Sequence, residues 1–319
     1  MKLRVTHRTS YHYAAPVTNN FNEVRLRPIS DDPQRVEYSL VSVRPAVRLR
    51  HYRDFFQNYV HYFEVEEAHT ELSIESTATI ETRSQFEEGV PYGIAFTRLA
   101  GSNRDEMIYE YLQPSRFVSI SPDLWRLSVD IQDRSNDVFQ TAENIMRYIF
   151  REYAYSPEST NVHTHMEDVL RLKAGVCQDF AHVMLGMCRA LKIPARYVSG
   201  YLFDGSGAGL RGDHASHAWA EIYLPGRGWF GLDPTNDQFA DDRYIKIGVG
   251  RDYNDVAPVK GTFCGSIERE PQHERLGQSQ AVNAAAAIGK MKGPRRGTAG
   301  LDLNNTNPIQ IRSRGGCRS

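Results

Sequence analysis

Apolar and polar residues alternate along the first hundred positions of the chain. Period two holds over residues 3–13, 36–40 and 72–80, and such a period predicts strands with one buried face. Turn-forming residues separate these stretches, as at positions 30–33. Residues 1–100 are therefore predicted to form an N-terminal antiparallel β-domain, built as a small sandwich or barrel.

The apolar spacing becomes helical beyond residue 101. Apolar positions between 138 and 150 predict an amphipathic helix with Ser135 as its N-cap. A short helix is predicted over residues 166–173, with a capping box formed by Thr164 and Glu167 and a stop at Gly175.

A further helix is predicted over residues 177–191, which are apolar on most sides. We therefore expect this helix to be buried at the centre of the fold. Strands are predicted over 195–202, 217–224 and 229–233, and the Pro-Gly-Arg-Gly run between the last two is typical of a hairpin. Residues 101–270 are thus predicted to form an α+β core, in which a central helix packs on an antiparallel sheet.

The end of the chain has a different composition. Residues 271–319 contain no aromatic residue and carry eight Lys or Arg against two acidic residues. This segment is predicted to be a disordered basic tail. The whole chain has a formal charge of −1, so we expect no general affinity for nucleic acid.

The sequence also excludes several classes of protein. No run of apolar residues approaches the roughly 18 that a membrane-spanning helix needs, and the first residues lack the apolar core of a secretion signal. Four cysteines without a Cys-x-x-Cys pair are too few for a disulfide framework in a chain of 319 residues. We therefore expect a cytoplasmic protein that does not act on membranes.

Cys177 has the context expected of a reactive thiol. It lies in the first turn of the predicted buried helix, where unpaired N–H groups and the helix dipole favour an anion. A thiol at such a place is generally a better nucleophile, and the nearby N–H groups can stabilise an oxyanion. Cys188 lies farther along the same helix, without those donors, and is expected to be inert packing.

His217 and Asp233 complete a candidate set for acyl transfer. His217 starts one predicted strand and Asp233 ends the next, so nucleophile, base and orienting acid are all present. Their geometry depends on the loop between the strands. A four-residue loop would point Asp233 away from His217, and a loop of odd length or a β-bulge is needed to bring both onto one face.

These motifs, in this order, resemble the bacterial transglutaminase-like superfamily, whose members have a papain-like core with a Cys-His-Asp triad. The opening segment resembles the β-rich domain that often precedes this core in bacteria, and together the resemblances cover about residues 1–265. The motifs are Gly175-Val176-Cys177-Gln178-Asp179-Phe180-Ala181-His182, Ile193-Pro194-Ala195-Arg196, His217-Ala218-Trp219-Ala220-Glu221, Trp229-Phe230-Gly231-Leu232-Asp233-Pro234 and, near the start, Glu23-Val24-Arg25-Leu26-Arg27-Pro28.

The resemblance implies a role for each of three residues: Cys177 as nucleophile, His217 as general base and acid, and Asp233 as the group that orients the imidazole. Four neighbours are candidates for contact with substrate or for packing around the site, namely Gln178, Asp179, His182 and Trp219. One departure concerns the end of the core. The family usually continues with a strand of alternating apolar residues, whereas here residues 267–270 lead into the tail, so that strand is expected to be missing or replaced.

The expected reaction is attack of Cys177 on an amide carbonyl of a peptide or protein, followed by a thioester intermediate. Hydrolysis of the thioester, as in a peptidase or amidase, is favoured over transfer to an amine, because nothing in the sequence identifies an amine-binding pocket. A non-catalytic peptide-binding module is the third alternative. No organic cofactor is required, and the histidines at 163, 165 and 214 lack the motifs of a metal site. The substrate and the oligomeric state are not encoded in any recognisable motif.

Overall fold

The computed structural model describes residues 1–101, 105–132, 134–203 and 216–265, and the backbone of two strands farther along the chain. In chain order its strands are β1 (Lys2–Val24), β2 (Gln34–Arg44), β3 (Arg50–Arg53), β4 (Tyr59–Val65), β5 (His69–Thr82), β6 (Ala154–Tyr155), β7 (Ala174–Gly175), β8 (Ala195–Leu202), β9 (His217–Leu224), β10 (Gly228–Asp233), β11 (Gln238–Phe239), β12 (Tyr244–Gly250), β13 (Val259–Cys264), β14 (Gln278–Ala285) and β15 (Ile311–Ser313). The helices are α1 (Glu106–Glu110), α2 (Pro122–Gln132), α3 (Val138–Glu152), α4 (Met166–Leu172), α5 (Cys177–Ala190) and α6 (Tyr253–Val256).

The N-terminal part is a β-sandwich organised around the long strand β1. The first half of β1 pairs with β5 and β14, whereas its second half pairs with β4 and β13 after a register shift between His12 and Val17. Apolar residues from both halves meet in one core, including Val41, Phe63 and Ile74. Because β13 lies after the helical segment in sequence, this sandwich is completed by residues from the far end of the described core.

The second part consists of helices packed on a five-stranded antiparallel sheet with the order β11-β10-β9-β8-β12. Every residue of α5 is buried, and it packs on β9 and β8 with α2, α3 and α4 around it. The predicted α+β class, with a central helix on an antiparallel sheet behind an N-terminal β-domain, is therefore confirmed. Among the described residues, no helix is long and apolar enough to cross a bilayer.

The two parts share an apolar interface. Leu3, Val5 and Ile80 from the sandwich pack against Tyr201 and Ile245 of the five-stranded sheet. The apolar residues at the start of the stretch 3–13 therefore face the five-stranded sheet, whereas those farther along face the core of the sandwich.

The ends of two helices differ from the sequence expectation. Helix α3 is capped by the Asp137 carboxylate, which accepts from Gln140 N at 2.7 Å, and not by Ser135. No side chain caps α4, because the Thr164 hydroxyl instead accepts from Asn161 N in the preceding turn. This helix also ends before Gly175, with Lys173 in the left-handed conformation as its C-cap (φ 51°).

Two short stretches of the predicted tail are strands in the structure. Residues 278–285 pair antiparallel with the start of β1, and residues 311–313 pair in parallel with β13. Edges of the sandwich offer unpaired backbone groups to which these two stretches add. Strand β14 lies at an edge of the sandwich beside β1, where it can take the place of the last strand that members of the family usually have. The rest of the tail falls outside the described residues.

Candidate active site

Cys177 is the first residue of α5 and is 8 % exposed. The residues around it shape this helix start. Asp179 accepts a hydrogen bond from Val176 N at 2.9 Å, so it satisfies a backbone donor that precedes the helix. Gly175 leaves room for that carboxylate, because a Cβ there would lie 2.7 Å from Asp179 Oδ2. The thiol is thereby placed beside the free N–H groups of the first helical turn.

The hairpin between β9 and β10 brings His217 and Asp233 to one face of the sheet. Its register pairs Leu224 with Gly228, which leaves a three-residue loop, and continues to Ala220 opposite Leu232. The next pair in this register sets Asp233 beside Trp219, on the face that also carries His217. The loop of odd length that the sequence analysis required is therefore confirmed.

His217 and Asp233 form a fully buried pair. His217 Nε2 lies 2.8 Å from Asp233 Oδ2, and both side chains have no exposed surface. An ionised carboxylate can only accept, so Nε2 carries the proton and donates it to Oδ2. The other ring nitrogen, Nδ1, is buried and has no partner of normal hydrogen-bond geometry among the described residues. It is therefore the ring atom available to Cys177.

Three further donors hold the Asp233 carboxylate. Thr235 N donates to Oδ1, and both Asn236 Nδ2 and the Tyr244 hydroxyl donate to Oδ2, each at 2.8 Å. Burial would raise the pKa of Asp233, but the charge of His217 and these hydrogen bonds hold it below its ordinary value. The carboxylate is thus ionised and fixed in orientation.

The protonated form of His217 is favoured in this setting. Burial lowers the pKa of the imidazole, but the charge and hydrogen bond of Asp233, with a contribution from Cys177, raise it to about 10. Cys177 therefore lies close to a cationic imidazole near neutral pH. A cationic neighbour of this kind is a common feature of the environment of reactive cysteines.

Asp179 and Gln178 lie within the first turn of α5, next to Cys177. Burial raises the pKa of Asp179 to about 6, although hydrogen bonds from the Thr160 hydroxyl and Val176 N act in the opposite direction. Its second oxygen, Oδ1, is buried without a hydrogen-bond partner among the described residues. Gln178 is also buried, and its amide lies 3.4 Å from Val162 O.

His182 is a packed residue in the structure. It is completely buried, stacks on Phe117 at 5.4 Å between ring centroids, and accepts from Tyr253 N at 3.1 Å. Burial lowers its pKa to about 4, with Asp252 acting in the opposite direction. It therefore packs between Phe117 and Tyr197, whose ring centroid lies 5.1 Å from its own.

Trp219 lies against the catalytic candidates and is fully buried. Its ring stacks on His217 with 6.2 Å between centroids. Gly200, which faces His217 across the sheet, makes room for this indole, because a Cβ there would lie 2.6 Å from the Trp219 ring. The ring therefore helps to exclude water from one side of the imidazole.

Cys188 lies farther along the same helix, away from its first turn. It is completely buried, and burial raises its pKa to about 12. The described residues contain no group of three or more His, Cys, Asp or Glu side chains that could hold a metal ion. Of the histidines considered for a metal, His214 lies outside the described residues, as does most of the loop 204–216.

Sequence reasoning did not identify Tyr244, Asn236 or Thr235 as partners of Asp233. The run Asp233-Pro234-Thr235-Asn236 carries a signal, because Asp followed by polar residues after a strand is typical of a turn closed by side-chain hydrogen bonds. Tyr244 carries none. It reaches Asp233 only because β12 lies in the same sheet, which no local pattern reveals.

The comparisons with known proteins agree with this architecture. The family model described as the transglutaminase-like superfamily matches residues 126–234, and that of the bacterial transglutaminase-like N-terminal region matches residues 3–81. An uncharacterised protein of Mycobacterium leprae is 37 % identical over 266 residues, which span 83 % of this chain and 94 % of that protein. An uncharacterised protein of Mycobacterium tuberculosis is 33 % identical over 295 residues, 84 % of this chain and 89 % of that protein.

A solved structure has a similar fold over most of the chain. The crystal structure of a candidate cysteine protease from Cytophaga hutchinsonii covers 90 % of this chain and 92 % of its own, with a TM-score of 0.66 and 25 % identity. A protein-glutamine gamma-glutamyltransferase of Pseudomonas aeruginosa is 30 % identical over 99 residues, 28 % of this chain and 14 % of that protein. The chain belongs to the transglutaminase-like superfamily and carries its bacterial N-terminal region.

Proposed function

We propose that this protein is a cysteine-dependent amidase or peptidase that acts through a Cys177-His217-Asp233 triad. The observation that carries the proposal is the 2.8 Å contact between His217 Nε2 and Asp233 Oδ2, which leaves Nδ1 for a thiol at the start of a buried helix. A nucleophile, a base within reach and a group that orients the base are the components of covalent acyl transfer.

The first half of the reaction forms a thioester. Cys177 Sγ attacks the carbonyl carbon of an amide, and the carbonyl oxygen becomes an oxyanion that N–H groups at the start of α5 can stabilise. The tetrahedral species collapses, the C–N bond breaks, and the His217 Nδ1 proton goes to the departing amine. Asp233 stabilises the imidazolium throughout and does not itself take up the proton.

The second half releases the acyl group. His217 Nδ1, now neutral, takes a proton from water as the water oxygen attacks the thioester carbon. The C–S bond breaks, the acid leaves and the proton returns to the Cys177–His217 pair. An amine in place of water would give a new amide, which is the transfer reaction named for the relative in Pseudomonas aeruginosa.

The test mixes the protein with a glutamine-containing peptide and a fluorescent primary amine. Release of ammonia or of a shortened peptide without amine incorporation is the expected result, and incorporation would favour transfer instead. Cys177→Ala should abolish either reaction, whereas Cys188→Ala, which changes the buried thiol of the same helix, should not. A protein that gives neither product, and labels Cys177 and Cys188 with iodoacetamide at the same slow rate, would be a binding module.

The substrate we propose is a peptide or protein amide, without a cofactor, and the proposed site of action is the cytoplasm. The proposed cytoplasmic location rests on the small number of cysteines and the absence of a Cys-x-x-Cys pair in the sequence. Fractionation of cells that express a tagged full-length chain tests it, since a periplasmic or extracellular pool of the protein would contradict the assignment.

A further inference from the structure

The five-stranded sheet has an edge that faces the N-terminal sandwich. Strand β12 is the last in the order β11-β10-β9-β8-β12, so only one side of it pairs with another strand of its sheet. The backbone groups on its other side need partners from outside the sheet, because a buried unpaired backbone group is costly. Ile29 N supplies one of them, to Lys246 O at 3.1 Å.

Two side-chain amides from the sandwich occupy that edge. Gln34 accepts from Lys246 N at 2.7 Å and donates to Lys246 O at 2.9 Å. Asn58 repeats the pattern, accepting from Val249 N and donating to Val249 O, both at 2.8 Å. Each amide therefore pairs with β12 as the backbone of a neighbouring strand would. Both are almost completely buried, with 2 % and 0 % exposure.

The strand held in this way also carries a partner of Asp233. Tyr244 is the first residue of β12 and lies two positions before Lys246. Its hydroxyl donates to Asp233 Oδ2 at 2.8 Å, the same oxygen that accepts from His217 Nε2. Its ring packs edge-on against Trp219, with 5.2 Å between centroids. A continuous set of contacts thus runs from the sandwich through β12 to the His217–Asp233 pair.

We propose that Tyr244 is a positioning residue for the triad, and that the sandwich keeps it in place through the amides of Gln34 and Asn58. This role rests on the proposed function of Cys177, His217 and Asp233. The N-terminal domain then acts as part of the catalytic apparatus, although none of its residues is placed at the reacting atoms.

The Tyr244 hydroxyl affects His217 because both groups donate a hydrogen bond to Asp233 Oδ2 and so share the negative charge of that oxygen. Each donor to a carboxylate oxygen partly neutralises its negative charge, so removal of one donor leaves more of that charge to attract the remaining donors. The titratable groups that face the His217–Asp233 pair in the described residues are Cys177 from α5 and Tyr244 from β12. The nearby ion pair of Asp241 and Arg243 acts on Tyr244.

Tyr244→Phe removes the hydroxyl and keeps the ring. We expect the Nε2–H resonance of His217 to move downfield in ¹⁵N-histidine-labelled full-length protein, or to vanish through faster exchange if the carboxylate turns away. We expect turnover to fall about five- to tenfold with KM unchanged, because a hydrogen bond to a charged group is lost outside the substrate site. The matched control is Tyr201→Phe, a buried tyrosine at the same interface, which should leave both readouts unchanged.

The contribution of the sandwich is measured with Gln34→Leu, which removes both hydrogen bonds between Gln34 and Lys246 and leaves the one from Ile29 N to Lys246 O. In this variant, the Nε2–H resonance of His217 should move in the same direction as it does in Tyr244→Phe. If that variant does not fold, Gln34→Glu, which keeps the acceptor and loses the donor, is measured in its place. A folded variant with lowered thermal stability and an unchanged His217 resonance would show that the amide of Gln34 stabilises the fold but does not position the triad.

An unchanged His217 resonance in Tyr244→Phe overturns the proposal for Tyr244. The resonance is read without substrate, so this result is distinct from failure of the proposed function. That failure would show itself in the unmodified protein, as a Cys177 no more reactive than Cys188 toward iodoacetamide.

Discussion

The charge of Asp233 should control the reactivity of Cys177, and Asp233→Asn tests this directly. Asparagine keeps the shape of the side chain and one acceptor oxygen but removes the negative charge. In the protein, burial lowers the pKa of His217, but the charge and hydrogen bond of Asp233, with a contribution from Cys177, raise it from 6.5 to about 10. Without the Asp233 charge, burial is opposed only by Cys177, so the pKa of His217 falls toward its ordinary value.

The expected size of the effect follows from the protonated fraction of His217. At pH 7.5 an imidazole of pKa 10 is almost entirely protonated, whereas one of pKa 6.5 is protonated to about one tenth. The imidazolium form of His217 beside Cys177 should therefore decrease by up to about tenfold, which corresponds to about 1.4 kcal/mol. The rate of alkylation of Cys177 should decrease by the same factor, since the thiolate is the form that reacts.

The assay follows carboxamidomethylation of each cysteine peptide by mass spectrometry between pH 5 and 9. Cys188 is the internal reference, because it is buried in the same helix and should label slowly in every variant. Asp252→Asn is the matched control, since Asp252 is a buried carboxylate beside another buried histidine, His182. If folded Asp233→Asn protein alkylates Cys177 at the unmodified rate at pH 7.5, the electrostatic reasoning is wrong.

Three further predictions concern activity and stability. Cys177→Ala should abolish amide hydrolysis and leave the thermal midpoint within a few degrees, as calorimetry can check, because the side chain is small and lies at a helix start. Asp179→Asn should become more stable relative to the unmodified protein as pH rises. The fold raises the pKa of the Asp179 carboxyl from 3.8 to about 6, so the unmodified protein loses stability as pH rises through this range. The loss is at most about 3 kcal/mol, and the asparagine variant does not undergo it. Urea titrations at pH 4 and pH 8 measure this, and a difference that does not change with pH would contradict it. Glu221→Gln should cost about 3–5 kcal/mol, because the buried carboxylate pairs with Arg196 and Lys246; equal urea midpoints for the two proteins would contradict this.

The sequence predicted the elements of the core well, because their patterns are local. The bounds of β8 and β9 agree with the structure, and helix α5 begins at the predicted residue. Cap positions were less predictable. Ser135 and Asp137 are both cap-forming residues within one turn, and only the path of the chain selects Asp137.

The contacts that complete the site could not be predicted for a different reason. Gly226 in the hairpin loop and Gly228 at the start of β10 both have positive φ, so the sequence is compatible with either loop length. The partners of Asp233 come partly from β12, and those of β12 come from Gln34 and Asn58, about two hundred residues earlier. No periodicity connects positions so far apart.

The pairing of β1 with β13 has a consequence for how the chain reaches its final state. Residues 21–24 lie beside residues 259–262, so this ladder joins segments that are more than two hundred residues apart in sequence. Contacts of such wide sequence separation form late, since a long loop must close first. On the ribosome, the sandwich remains open along one side of β1 until the whole helical core has been synthesised. A nascent chain halted before β13 should therefore be more sensitive to protease than one released after it.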